Sequence, residues 1–315
     1  MIKLRNFLPF LMLGLAAFTF ASCDDDDDDD LLDIVDTAIA DARFTTLVDA
    51  LTRADLVSTL QGDGPFTVFA PTNDAFTAFL AANGFASLDD VPVDLLTNIL
   101  LNHVVSGKVL SSDLTAGYIS TLATESTTDN NISALVNLTG GVFINSSEVI
   151  ETDIETTNGV IHVVSSVIGI PSVVDIALNN SNFSTLVAAL TRADLTVDFV
   201  GTLSGVGPFT VFAPTNAAFQ ALLDSDPIWN TINDIPVATL EAVLLYHVVS
   251  GANVLSSTLS DGQVITALSG GTFTINITGS AVSITTSSSG TANITAVDVQ
   301  GGNGVVHVVD AVLIP

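Results

Sequence analysis

Four histidines are the side chains of this 315-residue chain best suited to exchanging protons near neutral pH, and they form two matched pairs, His103 with His247 and His162 with His307. An imidazole that works as a base or a metal ligand comes with a nucleophile, a carboxylate or a second ligand close by. Here the neighbours are valines, so the expectation is buried imidazoles hydrogen-bonded inside a core. No His-x-x-x-His pair, Gly-x-Ser-x-Gly elbow or glycine-rich phosphate loop occurs. Asp74 resembles an acid or calcium ligand, but Ala217 stands at the matching position of a second copy, so a helix-start carboxylate favoured by the helix dipole is the simpler reading. Glu125 and Asp129 sit in a Thr/Ser-rich stretch expected to be a solvated loop, and no EF-hand-type calcium loop is present. The inventory points away from an enzyme and implies no cofactor and no metal site.

What positions these residues is one unit used twice. Phe44-Thr-Thr-Leu-Val-Asp-Ala-Leu-Thr-Arg-Ala-Asp-Leu56 recurs as Phe183-Ser-Thr-Leu-Val-Ala-Ala-Leu-Thr-Arg-Ala-Asp-Leu195. Gly64-Pro-Phe-Thr-Val-Phe-Ala-Pro-Thr-Asn73 recurs at 207–216, and Gly159-Val-Ile-His-Val-Val164 recurs as Gly304-Val-Val-His-Val-Val309. The units, 31–171 and 172–315, are far longer than solenoid repeats, so each is expected to be a whole domain. Leu47, Leu51, Ala54 and Leu56 recur at helical spacing. Phe-Thr-Val-Phe-Ala then predicts a strand, stopped by Pro-Thr-Asn, whose Thr or Asn can cap the next helix. A second apolar helix opens at Pro92 or Pro236 and ends at Asn102-His103 or Tyr246-His247. The rest is Thr, Ser, Val, Ile and Gly, which predicts antiparallel strands and hairpins closed by the His-Val-Val strand.

The ends speak to location. Lys3 and Arg5 precede an apolar run from Phe7 to Phe20 and then Ala21-Ser22-Cys23, the layout of an export signal over 1–22. Phe-Ala-Ser-Cys resembles a bacterial lipobox with Phe20 in place of the more usual Leu, which makes Cys23 the expected lipidated residue. It is the only cysteine, so disulfides and Cys-based sites are excluded from the domains. Asp24 to Asp30 is an unbroken acidic run, and 23–30 reads as a lipidated cysteine plus an extended tether. Without residues 1–22 the chain keeps four basic residues against thirty-four acidic; without the seven of the tether, twenty-seven acids remain, a net of −23. That balance disfavours nucleic acid, which needs cations on its phosphates.

Thr-Val-Phe-Ala-Pro-Thr-Asn at 67–73 and 210–216, Tyr246-His247 after a Leu-rich helix, and Gly304-Val-Val-His-Val-Val-Asp-Ala-Val-Leu-Ile-Pro315 resemble the signature blocks of fasciclin-like domains. The first copy departs from them at Asn102 and in Ser165-Ser-Val-Ile-Gly-Ile-Pro171. The resemblance implies an α+β fold class: two tandem fasciclin-like domains, each a wedge-shaped β-sandwich with helices packed along one side. It also associates Tyr246 and His247, and by position Asn102 and His103, with adhesion, against the simpler reading that they pack and hydrogen-bond inside the fold. Cysteine followed by acids resembles the surface-export signal of Bacteroidetes lipoproteins, and Asp36-Thr37-Ala38 resembles their O-glycosylation acceptor, although three residues recur easily by chance.

The expectation is thus a lipid-anchored adhesion or binding protein at the outer-membrane surface, presenting two domains to an extracellular protein or glycan; a periplasm-facing lipoprotein is the alternative placement. The rival functions are a glycan- or small-molecule-capturing lipoprotein and a structural envelope component. An open pocket lined by Tyr118 or Trp229 with converging polar groups favours capture, whereas closed wedges with flat polar faces favour adhesion or scaffolding.

Overall fold

The computed structural model describes residues 31–288 and 290–315; the expected signal, Cys23 and the acidic run lie outside them. The first domain comprises α1 (Ile34–Ala40), α2 (Thr45–Arg53), α3 (Val57–Leu60), β1 (Phe66–Pro71), α4 (Asn73–Ala82), α5 (Val93–Leu101), β2 (Val104–Ser106), β3 (Gly117–Thr124), β4 (Asn131–Asn137), β5 (Phe143–Ile144), β6 (Ser147–Thr156) and β7 (Gly159–Val164). The second repeats the plan with α6 (Val173–Asn179), α7 (Ser184–Leu190), α8 (Phe199–Leu203), β8 (Phe209–Pro214), α9 (Asn216–Asp224), α10 (Val237–Tyr246), β9 (Val248–Ser250), β10 (Val264–Thr266), β11 (Thr272–Thr278), β12 (Ala281–Thr285), β13 (Thr291–Gly301) and β14 (Gly304–Val309). Among the described residues no helix is long and apolar enough to cross a membrane.

Each domain holds one seven-stranded sheet, in the order β2-β1-β7-β6-β5-β4-β3 and, for the second, β10-β11-β12-β13-β14-β8-β9. Most neighbours are antiparallel, as the hairpin-rich sequence predicts. The exception is the pairing of β1 with β7 and of β8 with β14, which is parallel. Nearly the whole domain separates these strands in sequence, so no short hairpin dictates their sense. Glycine opens the later strand because its partner comes so close: a Cβ on Gly159 would lie 2.0 Å from the Phe66 carbonyl oxygen, and one on Gly304 2.1 Å from that of Phe209.

Alternation along β1 sends Val68 and Ala70 to the helical layer, with Leu47, Leu51, Phe76, Leu96 and Ile161, while Phe69 turns to the opposite face with Ala134, Val136, Ile144 and Val164. The second domain separates in the same way, with Val211 and Phe219 on the helical side and Phe212, Tyr246, Phe273 and Ile275 on the other. Each domain is therefore a wedge with apolar material on both faces of its sheet. Each fully buried phenylalanine of these layers contributes about 2–3 kcal/mol by leaving water.

The Pro-Thr-Asn block divides its labour. Thr72 and Thr215 are the N-caps of α4 and α9, accepting from the backbone N–H of Ala75 at 3.3 Å and Ala218 at 3.2 Å. Asn73 and Asn216 reach back instead: their Oδ1 atoms accept from Thr46 N and Thr185 N, and their Nδ2 groups donate to Ala42 O and Ser181 O. The repeated arginines also work locally. Arg192 donates to the Ile232 and Ile235 carbonyls at 2.8 Å, and Arg53 to those of Leu88 and Asp89, fastening the turn before α10 and α5.

Candidate functional site

His103 and His247 end the long helices of their domains. The Ile168 N–H donates to His103 Nε2 at 2.8 Å, so the ring proton sits on Nδ1, which donates to Ile99 O at 2.8 Å. His247 repeats this between Leu313 N–H at 2.9 Å and Val243 O at 2.8 Å. Burial pushes both imidazoles down to about 4, only partly countered by those carbonyl acceptors. They are neutral ties between a helix end and the last segment of each domain.

His162 and His307 carry the opposite tautomer. Their Nε2–H groups donate to Val109 O at 2.9 Å and Val254 O at 2.8 Å, and their Nδ1 atoms accept from Asp153 N and Asp298 N. Each ring stacks on a phenylalanine, Phe69 at 5.6 Å and Phe212 at 5.4 Å. Both histidines do have a carboxylate nearby, contrary to the sequence reading: Asp153 Oδ1 lies 4.0 Å from His162 Nδ1, and Asp298 occupies the equivalent place. The signal was present in the nine-residue spacing of Asp153 to His162 and of Asp298 to His307. It was obscured because each aspartate lies in a strand irregularity and adopts a left-handed backbone, φ 63° and 58°.

Ser111, Asp153 and His162 have the residue types of a hydrolytic triad, and Ser256, Asp298 and His307 repeat it. The connectivity is wrong for that chemistry. The Ser111 hydroxyl donates to Asp153, its backbone N–H donates to the same carboxylate at 2.7 Å, and the imidazole nitrogens are both taken by main chain. Burial pushes the Asp153 carboxyl up, but the Ser111 donors outweigh it and hold it below the usual carboxylate range. A nucleophile has no base here. Among the described residues no group of three or more His, Cys, Asp or Glu side chains could hold a metal ion.

The four positions associated with adhesion are all inside the fold: Tyr246 is 1% exposed, His247 3%, Asn102 0% and His103 2%. Tyr246 donates its hydroxyl to Thr272 O at 2.6 Å and meets Phe273 edge-on. Asn102 donates to Ile168 O and Gly169 O and accepts from the Thr121 hydroxyl. Direct contact with a partner at any of these side chains requires the helix end to open first. Glu125 is a correction of another kind. It is not solvated but 2% exposed, its carboxylate enclosed by the amides and hydroxyls of Thr127 and Thr128, which overcome the desolvation that would raise it and hold it low. Asp74 lies in the first turn of α4, as expected, and Thr37 lies within α1.

The two domains meet along β4 and β13. The Gln300 N–H donates to Ser133 Oγ at 3.0 Å, Asn253 Nδ2 donates to Thr128 Oγ1 at 3.0 Å and to Gln300 Oε1 at 3.1 Å, and Asn180 Nδ2 donates to the Tyr118 hydroxyl at 3.0 Å. Beside these contacts opens a groove of about 440 Å³, lined on one side by Tyr118, Leu135 and Asn137 and on the other by Asn180, Asn182 and Ala296. Trp229 lines a smaller cavity of about 200 Å³ with Leu222, Ile235 and Val243 and with the polar Ser225, Asp226 and Thr239. Of the two aromatic positions, Tyr118 lines the larger space, and its hydroxyl there accepts from Asn180 of the other domain.

Comparison with known proteins agrees with this architecture. The fasciclin domain matches the chain twice, at residues 42–171 and 181–315. Protein sll1483 of Synechocystis sp. is 42% identical over 137 residues, 44% of this chain and 73% of that protein. Periostin of Homo sapiens is 31% identical over 261 residues, 81% of this chain but 29% of periostin, so the chain spans under a third of that relative. Among solved structures, a FAS1 domain pair from the insect cell adhesion molecule Fasciclin I superposes with a TM-score of 0.52 at 15% identity, covering 87% of this chain and 97% of that one.

Proposed function

We propose that this chain, which belongs to the fasciclin domain family by both of its domains, is an adhesion-type binding protein whose surfaces engage an extracellular protein or glycan and whose polar interior serves the fold. The observation that carries this reading is the condition of the four histidines, each with both ring nitrogens bonded to main-chain groups, so that none is left to act as a base. It is in keeping with the solved neighbour, described as a cell adhesion molecule. Tandem domains on one chain add weak contacts into a firmer attachment.

The anchor belongs to the same proposal. Cys23 at the end of an apolar export signal, followed by the acidic run, supports a lipid-held protein at the outer-membrane surface. Cys23→Ala is expected to move the protein from the membrane fraction to the soluble one, and its retention in membranes would refute the lipid anchor. For binding, the full-length chain is expected to attach to surfaces coated with matrix proteins or glycans. Failure to attach to any of them, with hydrolysis of a substrate instead, would overturn the reading. Capture of a small molecule is the second reading, favoured by the polar groove beside Tyr118.

A further inference from the structure

We infer that the groove between the domains is a binding site for a neutral, hydroxyl-rich ligand, a saccharide unit of a glycan. This deepens the binding reading above and rests on it. The groove's volume of about 440 Å³ falls among small-molecule sites, roughly 300 to 1,000 Å³. No charged side chain lines it. An ionic ligand would shed water there and find no counter-charge, while an apolar one would strand the amides.

The neutrality is specific to this place. The repeat aligns the two domains at the blocks that flank this patch, and in the first domain the equivalent patch is charged. Asp41 accepts from the Arg43 backbone N–H at 2.8 Å and pairs with its guanidinium, which also reaches Glu151 at 2.6 Å. In the second domain these positions are Asn180, Asn182 and Ala296, and all three line the groove. The backbone geometry is retained, since Asn180 Oδ1 accepts from Asn182 N–H at 3.0 Å. Only the charges have gone. The groove presents groups that donate and accept alike: the Asn182 side-chain amide makes no hydrogen bond among the described residues, and across from it on the first domain Asn137 keeps its Nδ2 donors free among them, while the Tyr118 hydroxyl, already accepting from Asn180, has its proton to give. Sugar hydroxyls, which also donate and accept, match that set, and the half-buried Tyr118 ring offers an apolar flank.

The test is an array of neutral and acidic oligosaccharides (manno-, gluco-, xylo- and galacto-oligosaccharides and their uronic acid counterparts) probed with the full-length chain in detergent, followed by titration of hits. At least one neutral saccharide is expected to bind. Asn182→Arg, at an exposed position, is expected to weaken it by about tenfold or more with the melting temperature unchanged, whereas Arg43→Asn on the first domain leaves it alone. Absence of neutral binding at millimolar concentration, or binding that Asn182→Arg does not weaken, overturns the site. Attachment of the unaltered chain to matrix-coated surfaces is measured in parallel: retained attachment without saccharide binding sinks the groove alone, and loss of both sinks the adhesion reading as well.

Discussion

One edge of the first domain and the same edge of the second have nearly the same backbone and opposite chemistry. In the first, Lys108 on the segment after β2 pairs with Glu155 on β6 at 2.6 Å, both in contact with water. The repeat places Asn253 and Gln300 there in the second, with Asn253 Nδ2 donating to Gln300 Oε1 at 3.1 Å. The difference is what faces each edge. Gln300 is 2% exposed beneath Ser133 of the first domain, and its own amide donates to Gly301 O and Gly304 O. A carboxylate and an ammonium in such a place would lose hydration that their mutual attraction repays poorly, whereas a pair of amides can donate and accept without carrying charge. The charged patch Asp41, Arg43 and Glu151 is also replaced by neutral residues, Asn180, Asn182 and Ala296, which line the groove beside the domain contact. Where one domain covers the other, the Lys108–Glu155 ion pair has become the Asn253–Gln300 amide pair.

The largest expected effect breaks that contrast outright. Gln300→Glu puts a buried carboxylate where two carbonyl oxygens need donors, and a loss of about 4 kcal/mol is expected by chemical denaturation, with cleavage between the domains exposed to limited proteolysis. An unchanged denaturation midpoint would refute the account of this edge.

Acid should act on both domains alike, because both use the same imidazole tie. His103 and His247 are lowered to about 4 from an ordinary value near 6.5. Between those values the unfolded chain binds a proton at each that the native chain refuses, so stability is complete above pH 6.5 and falls as the pH drops toward 4. The loss is about 3 kcal/mol per histidine. Denaturant titrations from pH 7 to 4 measure it, and a flat profile would contradict the buried tautomers.

Smaller effects sharpen the comparison. Thr72→Ala and Thr215→Ala each remove one helix cap and are expected to cost about 1 kcal/mol, equally in the two domains, since the caps have the same geometry. Replacing Lys108 and Glu155 by Asn and Gln is expected to change stability by no more than about 0.5 kcal/mol, because that pair is exposed. A large loss there would mean that the first domain's edge is covered by something else.

Much of this was legible beforehand. The duplication, the strand ending at Pro-Thr-Asn, the capped helix, the second helix opened by proline and the burial of His103, His162, His247 and His307 all follow from local pattern, since periodicity and caps depend on residues within one or two turns. The site was less so. Glu125 reads as solvated because its Thr and Ser neighbours are polar, yet those same hydroxyls and amides fold over it. Tyr118 was one of two aromatics that the sequence offered for a pocket, but the polar groups beside it could not be read locally, because Asn137 comes from the neighbouring strand β4 and Asn180 and Asn182 from the other domain.

By itself the order of residues determined that there would be two domains, where the repeated Phe-Thr-Val-Phe-Ala strand, the helix it leads into and the proline-opened helix lie, and that the imidazoles would be core groups, because these are matters of short-range geometry and of which side chains leave water. Only the tertiary structure decided that β1 and β7 run parallel, that Asp153 and Asp298 turn toward their histidines, and that one copy's charged patch corresponds to the other's neutral groove. Those outcomes depend on which surfaces come to lie against each other, and the cost of burying a charge is set by what covers it rather than by its neighbours in sequence.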